Sequence, residues 1–253
     1  MINPMDLSGK NIMVTGASAG IGKEIAIHLS KLGANIIMIA RDEGRLKETY
    51  NELDPGNHSY FLLDLNDLDD IGKMFDNICS NGLKLNGLVH SAGISKTVPL
   101  QYLKLSDLNN IMTVNFYSFM ELVRHFSKRK NNDNGGSIVA ISSISNKVGA
   151  KGLAAYCASK GAIESAIRAM ALELAQKKIR INSVAPGMIA TRIYDSLKEV
   201  VSNEDFEEEL TKRQIMGIGE PKDVANSTAF LLGDASRFIT GTSVVVDGGY
   251  LAH

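Results

Sequence analysis

The chemistry of this chain is concentrated around Tyr156-Cys157-Ala158-Ser159-Lys160, which sets a phenol and an ammonium four residues apart. On a helix, that spacing puts both side chains on one face with Cβ atoms ~5–6 Å apart. A cation at ~4 Å in an effective dielectric near 20 is worth about 4 kcal/mol, or roughly three units off a phenol pKa near 10. A tyrosine tuned in this way can donate or accept a proton near neutral pH, as hydride transfer to or from a carbonyl requires. Ser143 lies 13 residues upstream, where an apolar run ends, and its hydroxyl can bond the substrate oxygen and hold it against Tyr156. Asn115 interrupts an otherwise apolar helical stretch, where an unsatisfied amide is costly. It can position a water beside Lys160, or bond a helical carbonyl as a structural residue.

A second constellation opens the chain. Thr15-Gly16-Ala17-Ser18-Ala19-Gly20-Ile21-Gly22 follows the first apolar run and precedes the first amphipathic segment. Glycines at such a junction allow a sharp turn, close approach of a pyrophosphate, and tight packing of helix on strand. The N–H groups and positive dipole end of the helix can then hold phosphates. The spacing is G-x-x-x-G-x-G rather than the general G-x-G-x-x-G. Gly16, Ser18, Ala19, Gly20, Ile21 and Gly22 are therefore cofactor-binding candidates.

The second apolar run ends Ile39-Ala40-Arg41-Asp42, with Ala40 in the place where an acid would hold a ribose 2′-hydroxyl. Arg41 can clamp a 2′-phosphate and stack on adenine, which favours NADP(H). Asp42 next door keeps NAD(H) open, and a solvated arginine at a helix start is the duller reading. At the end of the third run, Asp64 can accept from the adenine amino group, with Leu65 beside it, or simply cap the next helix.

Elements that would carry these residues follow from periodicity. Strands are expected at Asn11–Thr15, Asn35–Ala40, Ser59–Leu63, Gly87–His90, Ser137–Ser142, Arg180–Ala185 and Ser243–Val246. Their apolar runs are continuous, as suits strands covered on both faces. Helices are expected at Ile21–Leu32, Glu43–Leu53, Leu68–Ser80, Leu105–Ser127, Ala154–Lys177 and Pro221–Leu232. The alternation predicts an α/β fold: a single-domain doubly wound, Rossmann-like sheet of about seven parallel strands with helices on both faces. Seven strands rather than eight argue against a closed barrel. No linker or repeat divides residues 1–253, and Asn131–Gly136 reads as a polar turn. Ile111–Phe126 and Ala154–Leu174 are apolar on more than one stripe, which points to a partner subunit or to burial within one core.

With 253 residues, 44% hydrophobic and 22% charged, the chain has a globular composition. Its formal net charge of −1 gives no reason to expect nucleic acid or an anionic membrane as partner. Two cysteines, Cys79 and Cys157, cannot build a disulfide framework, and the dispersed histidines suggest no metal site. Cys157 reads as a packed small hydrophobe. No stretch approaches a membrane span, and Met1–Asp6 has no basic or apolar leader, so a cytoplasmic protein is expected.

Thr15–Gly22, Asn115, Ser143, Tyr156, Lys160 and Pro186-Gly187 with Thr191 resemble, in order and spacing, the short-chain dehydrogenase/reductase family. The resemblance runs from Leu7 to Gly249. It implies that Tyr156 is the general acid/base and that Lys160 binds the nicotinamide ribose and lowers the tyrosine's pKa. It further implies that Ser143 stabilises the substrate oxygen and Asn115 holds the water of a proton relay. Pro186, Gly187, Ile189 and Thr191 would hold the nicotinamide side. Where the family reads Asn-Asn-Ala-Gly, this chain reads His90-Ser91-Ala92-Gly93. Ser91, Ala92 and Gly93 remain cofactor-binding candidates, while the two differing side chains leave the local hydrogen bonding open.

The tail (Gly219–Ala225, Phe230–Leu232, Ile239–Gly241 and Val246–Gly249) is most similar to bacterial beta-ketoacyl carrier-protein reductases. Sugar, polyol and hydroxysteroid dehydrogenases share it. A carbonyl substrate, an acyl thioester on an acidic carrier protein, and a homodimer or homotetramer follow from this resemblance. Lys128-Arg129-Lys130 with Lys177-Lys178 could dock such a carrier, or be a solvated helix end. Met188–Met216, with Tyr194, Leu197 and Phe206, is expected to cover the substrate; its charges (Glu204, Asp205, Glu207, Glu208, Glu209, Lys212, Arg213) name no ligand. A catalytically idle dinucleotide-binding sensor is the alternative from another class.

Overall fold

Along every inner strand, successive apolar side chains go to opposite faces, and both faces are covered. The computed structural model describes residues 3–191, 194 and 212–252. Among them, β1 (Asn11–Thr15), β2 (Asn35–Ala40), β3 (Ser59–Leu62), β4 (Leu85–His90), β5 (Asn132–Ile141), β6 (Ile179–Pro186) and β7 (Ser243–Val246) form one sheet. All pairs are parallel, in the order β3-β2-β1-β4-β5-β6-β7. The expected Rossmann-like sheet is thus present.

One core layer takes Met13, Ile37, Leu88, Ile138 and Ile181 from the strands. They meet α3 (Leu68–Ile78), α5 (Ser118–Phe126) and α6 (Ala154–Ala175). The opposite layer takes Ile12, Val14, Ile36, Met38, Val89 and Val139. These meet α1 (Gly20–Lys31), α2 (Glu43–Asn51) and a last helix, α7 (Pro221–Leu232). Alternate residues of one strand serve different layers, so the runs had to be apolar throughout. The ends of the helices have local causes. The Asp42 carboxylate accepts from the Arg45 N–H at 3.0 Å to start α2. Pro221 opens α7, and the Glu220 N–H donates to Asp223 at 2.8 Å.

Two expectations change. The long helix over Leu105–Ser127 is divided: α4 (Leu105–Met112) runs into a π-turn at Thr113–Tyr117 before α5 begins. One wide turn of this kind leaves no hydrophobic period to read. The fifth strand starts at Asn132 rather than Ser137, because Asn132 pairs with Leu85 across a register shift. The asparagines there bond the end of α5: the amides of Asn131 and Asn132 donate to the carbonyls of His125 and Phe126, both at 2.9 Å. Of the expected cover, Tyr194, Lys212 and Arg213 are described; Leu197, Phe206, Glu204, Asp205, Glu207, Glu208 and Glu209 lie outside the described residues.

Candidate active site

β1 lies between β2 and β4, so the chain's connections diverge at its carboxyl end, the place where open α/β sheets hold ligands. A cavity of about 880 Å3 opens there. The glycine loop forms one wall. Gly16 has φ +70°, and a Cβ on it would stand 2.8 Å from the Ala92 backbone; a Cβ on Gly22 would strike the Gly16 carbonyl oxygen. Ala19 precedes α1 without a capping side chain, and the first turn has no acidic residue. Ala19, Gly20, Ile21 and Gly22 therefore present helix N–H groups and the positive dipole end to the cavity. This cradle fits a dinucleotide's phosphates.

On the β2 side, Arg41, Asp64 and Leu65 line the cavity, and Arg41 Nη1 stands 3.4 Å from an Asp64 oxygen. Burial works against the Asp64 charge, but the Asn66 N–H and the Arg41 guanidinium outweigh it and hold the carboxyl below its usual range. Arg45 lines the same end, with its Nε 3.2 Å from Asp42. Sequence reading missed Arg45, which α2 carries to the cavity.

On the β5–β6 side stand Ser143, Tyr156, Lys160, Pro186, Gly187, Ile189 and Thr191, with Ser91, Ala92 and Gly93 between the two ends. Ser143 follows β5, and its Oγ accepts the Ser145 N–H at 3.1 Å. Tyr156 and Lys160 share one face near the start of α6, with Lys160 Nζ 5.6 Å from the Tyr156 ring centroid. Nζ donates to the Ile141 carbonyl at 2.8 Å. Burial pulls the Lys160 ammonium down to about 8, against the opposing pull of Glu164. The expected depression of the phenol is reversed: burial pushes Tyr156 up, and the Ser143 hydrogen bond only partly offsets it. The spacing argument set a charge at the phenol and left out the desolvation that both groups undergo in the cleft wall.

Asn115 is fully buried and does not line the cavity. Its Oδ1 accepts the Ile94 N–H at 2.8 Å, and its Nδ2 donates to the Ile94 carbonyl at 3.0 Å and to Ser159 Oγ at 2.9 Å. The amide binds a loop rather than a helical carbonyl. Gln214, not singled out from sequence, braces the opposite wall. It takes the Met188 N–H and donates to the Met188 carbonyl, both at 2.9 Å. Among the described residues no group of three His, Cys, Asp or Glu side chains could hold a metal, and no helix is long and apolar enough to cross a membrane.

A family model described as enoyl-(acyl carrier protein) reductase matches residues 16–251. The 3-oxoacyl-(acyl-carrier-protein) reductase FabG of Rickettsia bellii is 34% identical over 248 residues, covering 98% of this chain and 99% of that protein. The chain belongs to the short-chain dehydrogenase/reductase family. It is an oxidoreductase with a nicotinamide dinucleotide as cofactor. Solved structures agree. A protein from Beutenbergia cavernae described as an NAD(P)-dependent gluconate 5-dehydrogenase, with NADP bound, superposes with TM-score 0.91 at 30% identity, covering 99% of this chain and all of the other. A 7α-hydroxysteroid dehydrogenase complexed with NADH and 7-oxoglycochenodeoxycholic acid gives 0.91 at 29%, covering 98% of each.

Proposed function

We propose that this dehydrogenase/reductase is an NADP(H)-dependent reductase of 3-oxoacyl thioesters, with Tyr156 as its general acid. The observation that carries the reading is one cavity lined by Ser143, Tyr156 and Lys160 on one side and by Arg41 and Arg45 beyond the glycine loop on the other. Two guanidiniums suit a 2′-phosphate, although each already has a carboxylate neighbour. The thioester assignment comes from the 34% identity to the Rickettsia enzyme, whose name gives a 3-oxoacyl carrier protein as substrate.

In this reading the glycine loop and α1 hold the pyrophosphate, Arg41 and Arg45 the 2′-phosphate, and Lys160 with Pro186–Thr191 the nicotinamide half. When bound there, the cofactor would supply a hydride for the carbonyl carbon. Ser143 donates a hydrogen bond to the carbonyl oxygen and keeps it near the phenol. As negative charge develops on that oxygen, Tyr156 gives it a proton and the alcohol leaves. The Lys160 ammonium stabilises the phenolate left behind. Asn115 acts from behind the wall, holding Ile94 and Ser159 in place. Exposed Tyr117, Met120 and Leu172 on the segment Thr113–Phe126 and on α6 support self-association through those helices.

A second reading, an NAD(H)-dependent sugar, polyol or hydroxysteroid dehydrogenase, draws on the gluconate and steroid enzymes that share the fold. A spectrophotometric panel separates the two. Acetoacetyl thioester, simple ketones, keto sugars and steroids are assayed with NADPH and with NADH. Acetoacetyl thioester with NADPH is expected to give the highest kcat/KM; a sugar or steroid turning over faster would overturn the thioester assignment, and a preference for NADH the choice of cofactor.

A further inference from the structure

We propose that His90 is a positioning residue for the reaction: through the main-chain carbonyl of Asn115 it fixes the segment that braces the helix start bearing Tyr156 and Lys160. The inference rests on the reductase reading above.

His90 ends β4 with no solvent exposure and stacks on Phe119, the ring centroids 5.4 Å apart. β1 and β4 bring it level with Thr15, whose Oγ1 stands 3.1 Å from His90 Nδ1. The same Thr15 Oγ1 accepts the Ala92 N–H at 3.2 Å. A carbonyl only accepts, so Nε2, which faces the Asn115 carbonyl, carries the imidazole proton, and Nδ1 accepts from the Thr15 hydroxyl. Nε2 then donates to the Asn115 carbonyl at 3.1 Å. Burial and the nearby Lys160 charge hold the ring's pKa down at about 3, so this donor–acceptor pattern is constant at neutral pH.

From Asn115 the string continues forward. Its amide donates to Ser159 Oγ, the side chain immediately before Lys160, and brackets the Ile94 peptide from both sides. A Cβ on Gly93 would lie 3.5 Å from both Asn115 Oδ1 and Lys160 Nζ, so both side chains approach Gly93, which lines the cavity. Asn115 sits in the π-turn, where the regular α-helical ladder of carbonyls is interrupted. The His90 bond gives that carbonyl a fixed partner. An asparagine at this position, as in the family pattern, could present its amide where Nδ1 lies but is too short to replace Nε2.

The test compares His90→Phe, His90→Gln and His90→Asn by kcat, by KM for NADPH and for the ketone, and by melting temperature. Phenylalanine keeps the stacking and loses both bonds; glutamine keeps a donor toward Asn115; asparagine keeps only an acceptor for Thr15. His90→Phe is expected to lower kcat by about tenfold or more, since small misplacements of reacting groups are costly, with KM for NADPH changed less than about twofold. His90→Gln should regain most of the kcat, and His90→Asn should not. Equal rescue by asparagine, or losses that follow KM or melting temperature instead of kcat, would overturn the inference. If the phenylalanine variant does not fold, the glutamine–asparagine pair decides. An unaltered protein that turns over no carbonyl overturns the reductase reading first and the inference with it, and is seen before any substitution is made.

Discussion

Lys160 donates to the Ile141 carbonyl at 2.8 Å while its ammonium stands 5.6 Å from the centre of the Tyr156 ring. The strand end fixes the cation, and the cation reaches the tyrosine across its ring face. Removing the phenolic hydroxyl should therefore leave the cavity and the ammonium in place. Tyr156→Phe is expected to lower kcat by ~10²–10⁴, the range general acid catalysis supplies. NADPH affinity, followed by fluorescence titration, should stay within a few-fold. Wild-type turnover in this variant would remove Tyr156 from the mechanism.

At the β2 end, Arg41 is well exposed and bound to Asp64 only at 3.4 Å, so it can turn toward a phosphate at little cost. Arg41→Ala should weaken NADPH by about 1.5–3 kcal/mol, or roughly ten- to a hundredfold in Kd, and NADH by much less. Arg45→Ala should have a smaller effect of the same kind, because Asp42 competes for its guanidinium at 3.2 Å. Isothermal titration with both dinucleotides measures the difference, and equal losses would show that neither arginine reads the 2′-phosphate.

Gly16 combines φ +70° with a Cβ position 2.8 Å from the Ala92 backbone. An alanine there is strained in conformation and in space. Gly16→Ala should destabilise the fold by more than about 1 kcal/mol in denaturant titration and sharply reduce dinucleotide affinity. Unchanged values of both would mean that the loop yields where its packing suggests it is fixed.

The buried Lys160 ammonium makes stability depend on alkaline pH. Its pKa falls from an ordinary 10.5 to about 8, so between those values the unfolded chain holds a proton that the folded chain has released. Stability from this group therefore rises as pH rises from about 8 to 10.5, by about 3 kcal/mol at most. Lys160→Met should flatten that rise, as measured by urea unfolding at stepped pH. A wild-type curve with the same slope as the variant's would place the ammonium in a wetter site than its burial indicates.

Much of this was readable in the chain because the physics behind it is local. Continuous apolar strands such as Ile36–Ile39 declare two covered faces, and the glycine spacing at 16, 20 and 22 requires a turn that only that residue type can make. The Tyr156–Lys160 pair needs only a helix to bring its members together. What escaped depends on contacts between distant segments. The role of His90 follows from the register of β1 against β4, which sets Thr15 beside it. Arg45 joins the cavity through the placement of α2, and the direction of the Tyr156 shift through burial by residues far along the chain. Gln214 lies 26 positions from the Met188 peptide it holds, with no motif to announce it.

The wide turn at Thr113–Tyr117 fixes the orientation of everything after it. One residue of helix is a rotation of about 100°, so deleting a single position there would swing α5 by more than a quarter circle. Leu122 would move to the half-buried place of Glu121 while Arg124 took the buried place of Val123. Viable length changes in this stretch are therefore confined to the ends of the helical segment, and the chain can drift in sequence here far more freely than in residue count.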